Sequence, residues 1–275
     1  MRENKNTVHP FYIIKKRKSL RLVKFIFIVF AFLVVLFPQN SSAQVRKVEN
    51  MPTYDFSKYH FGFILAFNQM AFTIKPIENL HLTMFDSIQA SEINADSAMI
   101  FSILGAPSAG FTVGIVSNLR LGNFFDLRFI PSLSFGERYI DYRFLKFRDG
   151  ERIIVDQRKN IPSTFIDLPL QVKYKSKRLN NFRAYLVGGV SGRIDLASQA
   201  KKRKDTGVVQ VKLNKSDFYG ELGFGFDFYF EWFKFGTELK MSYGFLDVLK
   251  HENSIYTSGI EKINSKIFQL TFTFE

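Results

Sequence analysis

From residue 59 onward, apolar and polar positions alternate with a period of two in eight stretches. A run of this kind, longer than an ordinary strand signal, predicts a β-strand with one apolar and one polar face. His60 to Ile74 places Phe61, Phe63, Leu65 and Phe67 on one face. Phe111 to Asn118 does the same with Phe111, Val113 and Ile115. Phe124 to about Phe144 carries Phe125, Leu127, Phe129, Pro131, Leu133 and Phe135, and Thr164 to Lys175 carries Ile166, Leu168, Leu170, Val172 and Tyr174. Phe182 to about Leu196 is less regular, because Gly188, Gly189 and Gly192 interrupt it. Asp217 to Tyr229 alternates Leu222, Phe224, Phe226 and Phe228 with Glu221, Gly223, Gly225 and Asp227. Phe233 to Gly244 and Lys266 to Phe274 complete the set.

The connections between these stretches alternate in length. Residues 75–109, 145–163, about 197–216 and 245–265 are long; 119–123, 176–181 and 230–232 are short, with the alternative that Tyr139 to Phe144 extends the third stretch beyond the membrane and 151–155 pairs with it. A soluble sandwich or lipocalin-like barrel also alternates. Here, however, the apolar face is a continuous band of Phe and Leu, and the opposite face is small, polar or charged, which makes a poor hydrophobic core. Together with the connection lengths, this predicts an all-β, transmembrane antiparallel up-and-down β-barrel of about eight strands, with long extracellular loops and short periplasmic turns. A closed barrel is one of the two backbone arrangements that a bilayer tolerates. Tyr139, Tyr142, Tyr174, Tyr229, Trp232 and Tyr243 are candidates for interfacial girdles, and Pro131 and Pro169 for ladder irregularities.

The N-terminus adds an export signal. Lys15-Lys16-Arg17-Lys18 and Arg21 to Lys24 are followed by an uncharged apolar run, Phe25 to Phe37, and then by Ser41-Ser42-Ala43. That run is shorter than the roughly 20 residues a membrane-spanning helix needs, so residues 1–43 read as a signal peptide cleaved before Gln44, with an uncleaved anchor as the alternative. Residues 44–58 are then a periplasmic segment, and 59–275 the barrel domain.

Charge narrows the function. The formal net charge is +13, but residues 1–43 hold eight Lys/Arg and one acid, leaving 30 Lys/Arg against 24 Asp/Glu in the remainder. No basic stripe gathers these, so no nucleic-acid partner is predicted. Lys201 to Lys204 reads as a solvated loop or a contact to lipid headgroups. The chain has no cysteine, which excludes disulfides and thiolate chemistry.

Eight strands enclose a lumen that side chains fill. The inward positions Asp126, Arg128, Asp167, Gln171, Lys173, Glu221, Asp227, Lys234, Glu238 and Lys240 carry both signs. Buried charge is costly unless paired, so nine of these (all except Gln171) form a predicted lumen network; a single-charge ring of the kind that marks a selective pore is absent. No phosphate loop, nucleotide fingerprint or metal spacing appears, and no cofactor or small-molecule substrate is predicted. Of the histidines, His81 has Thr83, Asp86 and Ser87 nearby, His251 has Glu252 and Ser254, and His60 opens the first strand as an interfacial residue. A loop-histidine hydrolase is thus a lesser alternative, and no catalytic residue is nominated.

Three stretches carry a family resemblance. Tyr54 through Tyr59-His60-Phe61-Gly62-Phe63 to Phe67-Asn68, then Phe125-Asp126-Leu127-Arg128-Phe129-Ile130-Pro131 with Leu133 and Phe135, then Phe165-Ile166-Asp167-Leu168-Pro169-Leu170 with Lys173, resemble the PorT family of Bacteroidota outer-membrane proteins. The resemblance implies a non-enzymatic barrel required for type IX protein secretion, and for gliding in some species, with outer-membrane lipid and other secretion proteins as partners. A surface adhesin or structural barrel is the alternative.

Overall fold

A computed structural model describes residues 48–197 and 211–275. The signal-peptide reading and the Lys201 to Lys204 run lie outside these residues. Eleven strands occur among the described residues: β1 (Tyr59–Pro76), β2 (Met84–Phe85), β3 (Ser97–Ala106), β4 (Ser108–Arg120), β5 (Phe125–Phe129), β6 (Ser132–Arg148), β7 (Glu151–Lys175), β8 (Phe182–Asp195), β9 (Ser216–Tyr229), β10 (Lys234–Gly244) and β11 (Ile260–Phe274).

Their pairings close into a ring. The ladder runs β1–β11–β10–β9–β8–β7–β5–β4, and β4 returns to β1, with Tyr59 opposite Leu119 and Met70 opposite Ser108. β5 and the first half of β6 serve together as one wall strand, so the wall has eight antiparallel strands and no open edge. The split falls at Ile130 and Pro131, where a proline offers no ladder donor. Pro169 sits across from it and accepts from the Ile130 N–H at 3.3 Å. On its other side Pro169 pairs with Ser191 without a register shift. The irregularity expected separately at each proline is therefore one shared gap between neighbouring strands.

The wall's outer face is predominantly apolar. Phe61, Phe63, Leu65, Phe67, Phe111, Ile115, Leu170, Leu222, Phe224 and Leu239 all stand exposed. A contiguous patch of this extent does not belong on a water-soluble surface; it is a lipid-facing band. Cross-strand ring pairs order it, as where Phe63 stacks on Phe274 and Phe111 on Phe135, both with centroids 4.9 Å apart.

At the long-loop end, the structure departs from the sequence reading. Residues 145–163 are not a long loop; the strand extension held as the alternative is what forms, and it goes further than 151–155: β6 and β7 continue as one hairpin closed by Asp149-Gly150, both at positive φ (51° and 81°). This is the backbone of a type I′ turn, for which Asp-Gly is suited. Within 75–109, β3 pairs along the outer half of β6, and short helical turns precede it. Two of the candidate girdle residues also lie inside. In β6, Tyr142 shares a face with Ser134 and Arg138, and in β9, Tyr229 shares one with Asp227, so period two turns both inward. Trp232 and Tyr174 do stand exposed near the short-turn end.

Candidate functional site

The inward side chains form three layers. The middle layer is ionic, and all nine predicted network residues are buried in it. Arg128 Nη1 donates to Glu238 Oε2 at 2.7 Å, and Lys173 Nζ to Asp227 Oδ2 at 2.7 Å. Lys175 meets Asp126 at 2.6 Å. Arg193 spans Asp167 at 2.7 Å and Glu221 at 3.2 Å, and Glu221 also takes Lys240 at 3.2 Å. Gln171 and Ser242 donate to the Glu221 carboxylate as well, at 2.6 and 2.9 Å. Lys234 pairs with Glu275. Two cations lie over rings, Lys173 on Tyr185 at 3.6 Å and Arg193 on Tyr219 at 4.0 Å.

Sequence reasoning missed several members. Arg138 reaches Asp195 at 3.2 Å and donates to Ser163 and Ser265. Arg183 and Arg193 come from β8, whose glycines conceal its alternation. Yet Arg183, Tyr185, Val187, Ser191 and Arg193 all fall on one parity, and that was the available signal. Among the described residues, eight buried cations (Arg128, Arg138, Lys173, Lys175, Arg183, Arg193, Lys234, Lys240) share this interior with eight carboxylates (Asp126, Asp167, Asp195, Asp217, Glu221, Asp227, Glu238, Glu275). A lumen so balanced carries no field of one sign along which an ion would be drawn.

The second layer closes the short-turn end. Residues 48–58 fold across the mouth, held by hydrogen bonds instead of apolar packing. Arg183 forks onto Asp55 at 2.9 and 2.7 Å, and Tyr54 donates to Glu275 at 2.6 Å. Asn181 accepts from the Asn50 N–H, and Arg178 holds the Asn50 and Met51 carbonyls. His60 stacks on Tyr54 with centroids 3.9 Å apart, its Nε2 2.8 Å from the Tyr54 carbonyl. It lies on the inward parity of β1, in the mouth and not at the lipid interface. Burial alone would push the Asp55 carboxyl up, but the Arg183 fork, with Lys175 and Arg178 beside it, holds it below its ordinary value. The space left among Tyr54, Asp55, His60, Asp126, Lys175 and Lys234 is about 10 Å³, about one water.

The third layer, at the long-loop end, is apolar. Along β6 the inward face changes from Ser134 and Arg138 to Ile140, Tyr142 and Phe144. These pack with Phe85, Ile93 and Ile100 from the first connection, and with Val248, Leu249, Ile255 and Tyr256 from the last. Tyr142 stacks on Phe144, and the Tyr256 ring meets both edge-on at 5.3 and 5.7 Å. Glu92 accepts from Ser254 Oγ and the Ile255 N–H, tying the two connections together. Burial pushes the Tyr256 phenol up to about 12, so it keeps the proton it donates to Gln157.

The loop histidines are placed differently from each other. His251 Nε2 lies 2.9 Å from Asp247 Oδ2, while Ser254 is engaged by Glu92. His81 is exposed on a short 3₁₀ turn. Among the described residues, no group of three His, Cys, Asp or Glu side chains is arranged to hold a metal ion.

Residues 39–250 match the outer membrane protein beta-barrel domain family. The chain belongs to that family. It is an outer-membrane β-barrel protein, and its strands cross the membrane with the apolar band against lipid. No curated protein sequence matches it. Among solved structures, this outer-membrane barrel is similar to Neisserial surface protein A (10% identity, 79% of this chain and 98% of that one, TM-score 0.34). It is also similar to OprG from Pseudomonas aeruginosa (14% identity, 78% and 94%, TM-score 0.34) and to the outer membrane protease OmpT from Escherichia coli (10% identity, 84% and 99%, TM-score 0.33).

Proposed function

We propose that this outer-membrane barrel is a non-enzymatic component of type IX protein secretion that acts by contact and passes no cargo through its own lumen. The observation that carries the proposal is the lumen closed at three levels: a hydrogen-bonded segment below, paired charges within and an apolar core above. A wall of eight strands filled in this way leaves the loops, the outer wall and the periplasmic rim as the working surfaces. The resemblance to the PorT family supplies the system in which those surfaces act. Export in this reading uses residues 1–43, and N-terminal sequencing of the membrane-embedded protein should begin at Gln44.

The test is deletion of the gene, followed by a comparison of proteins in the medium and at the cell surface with the parent strain. Secretion substrates bearing the C-terminal sorting signal should accumulate in the periplasm while other envelope proteins stay in place. Normal export in the deletion strain would overturn the assignment. Complementation with His81→Ala and His251→Ala together should restore export, as a non-enzymatic role requires.

A further inference from the structure

At the short-turn end, a hollow of about 320 Å³ lies between the 54–56 turn and the wall turns 121–124 and 176–181. Its volume is at the lower end of the range that small-ligand sites occupy, roughly 300–1,000 Å³. Its lining is unevenly charged: Arg120, Lys175, Lys177, Arg178 and Arg183 stand against the carboxylate of Asp55. Three of these cations have an acid beside them. Lys175 meets Asp126 at 2.6 Å, Arg183 meets Asp55 at 2.7 Å, and Arg178 lies 3.3 Å from Glu49. The other two have none among the described residues. Arg120 gives its Nε to the Gly122 carbonyl and its Nη2 to Asn123, which leaves Nη1 over, and Lys177 is exposed. Two positive charges are therefore in excess here, in contrast with the even balance deeper in the lumen.

A second observation points the same way. Arg183 is 6% exposed, yet its Nε donates to nothing among the described residues; a buried N–H of this kind calls for an acceptor. The level of the hollow says which anion is at hand. Phe125 and Tyr174 face each other across β5 and β7, both rings outward and 5.1 Å apart. Arg120 pairs with Asp126, next to Phe125, and Lys177 lies three residues beyond Tyr174. At about 3.3 Å per residue or less along tilted strands, the hollow sits within the headgroup layer, where lipid phosphate is the abundant anion. We propose that this hollow is a phosphate-binding site, held by Arg120 and Lys177 with Arg183 beside them. Guanidinium groups suit phosphate oxygens because their donors form a planar fork. Two sources share this chemistry: a lipid headgroup tipped over the 121–124 turn, and free phosphate. The site does not depend on the secretion role proposed above.

The test uses the full chain folded in octyl glucoside, a detergent without phosphorus, and titrated under phosphorus NMR. One arm adds dioctanoyl phosphatidylglycerol and the other inorganic phosphate. Binding of the lipid, with inorganic phosphate as the weaker competitor, assigns the site to a headgroup; binding of inorganic phosphate alone assigns it to the free ion. In either arm, Arg120→Gln with Lys177→Gln should weaken binding about tenfold or more, through the loss of two charge-assisted hydrogen bonds. Lys250→Gln removes an exposed charge at the long-loop end and should leave binding unchanged. If the double variant does not fold, competition in the parent protein decides: sulfate should displace the bound probe, and acetate at the same concentration should not. Binding of neither probe, a loss no greater than that of Lys250→Gln, or displacement by acetate as readily as by sulfate would each overturn the proposal.

Discussion

Glu238→Gln tests whether the lumen's charges stabilise the barrel through their pairing. Arg128 is 1% exposed and Glu238 2%, and the 2.7 Å contact between them is the only ion pair either makes among the described residues. The Arg128 Nε has no hydrogen-bond partner, so nothing else nearby satisfies that side of the guanidinium. Removing one partner of a buried pair leaves an uncompensated charge and costs about 3–5 kcal/mol. Glutamine keeps an acceptor for Nη1, so the loss should sit near 3 kcal/mol. Replacing both partners, as Arg128→Met with Glu238→Leu, removes the charge and its desolvation together, and should return stability to within about 1 kcal/mol of the parent. The assay is urea unfolding in phospholipid vesicles, followed by far-UV circular dichroism and by fluorescence of the single tryptophan, Trp232, 87% exposed in the β9–β10 turn. The reasoning fails if Glu238→Gln unfolds with the parent, because the lumen is then wet enough to screen a lone guanidinium. It fails equally if the double variant loses as much as the single one.

Four further outcomes are expected. Leu222→Arg, at a position 74% exposed midway along β9, should cost about 2–4 kcal/mol if that face meets the bilayer midplane, and almost nothing if it meets water; vesicle unfolding distinguishes the two. Phe144→Ala in the apolar cap should cost about 3–5 kcal/mol locally, opening the 84–106 and 245–259 segments to external protease while the membrane-embedded wall stays folded. The Asp55 carboxyl is depressed in the folded state, so its contribution is fully present above the ordinary aspartate value of about 3.9 and is lost as pH falls through the lower folded value. Residues 48–58 should thus remain protected from protease at neutral pH, whereas Asp55→Asn should expose them there. In planar bilayers the parent protein should show no steady conductance, and passage of large solutes would contradict the sealed lumen.

Much of the wall could be read from the chain because a lipid-facing strand writes its geometry into its residues. Phe and Leu at alternate positions must face the bilayer, and whatever lies between them must face in, so Asp126, Lys173 and Glu238 were placed by parity alone. Reading failed where that contrast fades. From Glu151 to Ser163 both faces are polar or mixed, so only the pairing of 151–155 with an extended third stretch was legible, as an alternative to a loop, and the length of the hairpin was not. The Asp149-Gly150 turn at its tip is nonetheless a strong local hairpin signal. Tyr142 and Tyr229 were assigned to the interface by residue type, although parity assigned them inward. The apolar cap assembles from segments more than a hundred residues apart, such as Glu92 with Ser254, and no local periodicity announces it. The same holds for the fold of residues 48–58 across the mouth, where hydrogen bonds between distant polar groups do the holding.

The evenly matched charges of the interior also bear on how such a barrel comes into being. A network of this kind is stable only when every member has its partner, and an incomplete one is worse than none. Arg193 of β8 needs Asp167 of β7 and Glu221 of β9, and Arg128 of β5 needs Glu238 of β10 from the far side of the ring. No half-built cylinder contains all of these partners. Until the last seam joins, these side chains must stay solvated, and the water can leave only as the ring shuts. Assembly is thereby made all-or-none: the final strand pairing and the drying of the interior become one event, and an intermediate lacking a strand stays open and wet.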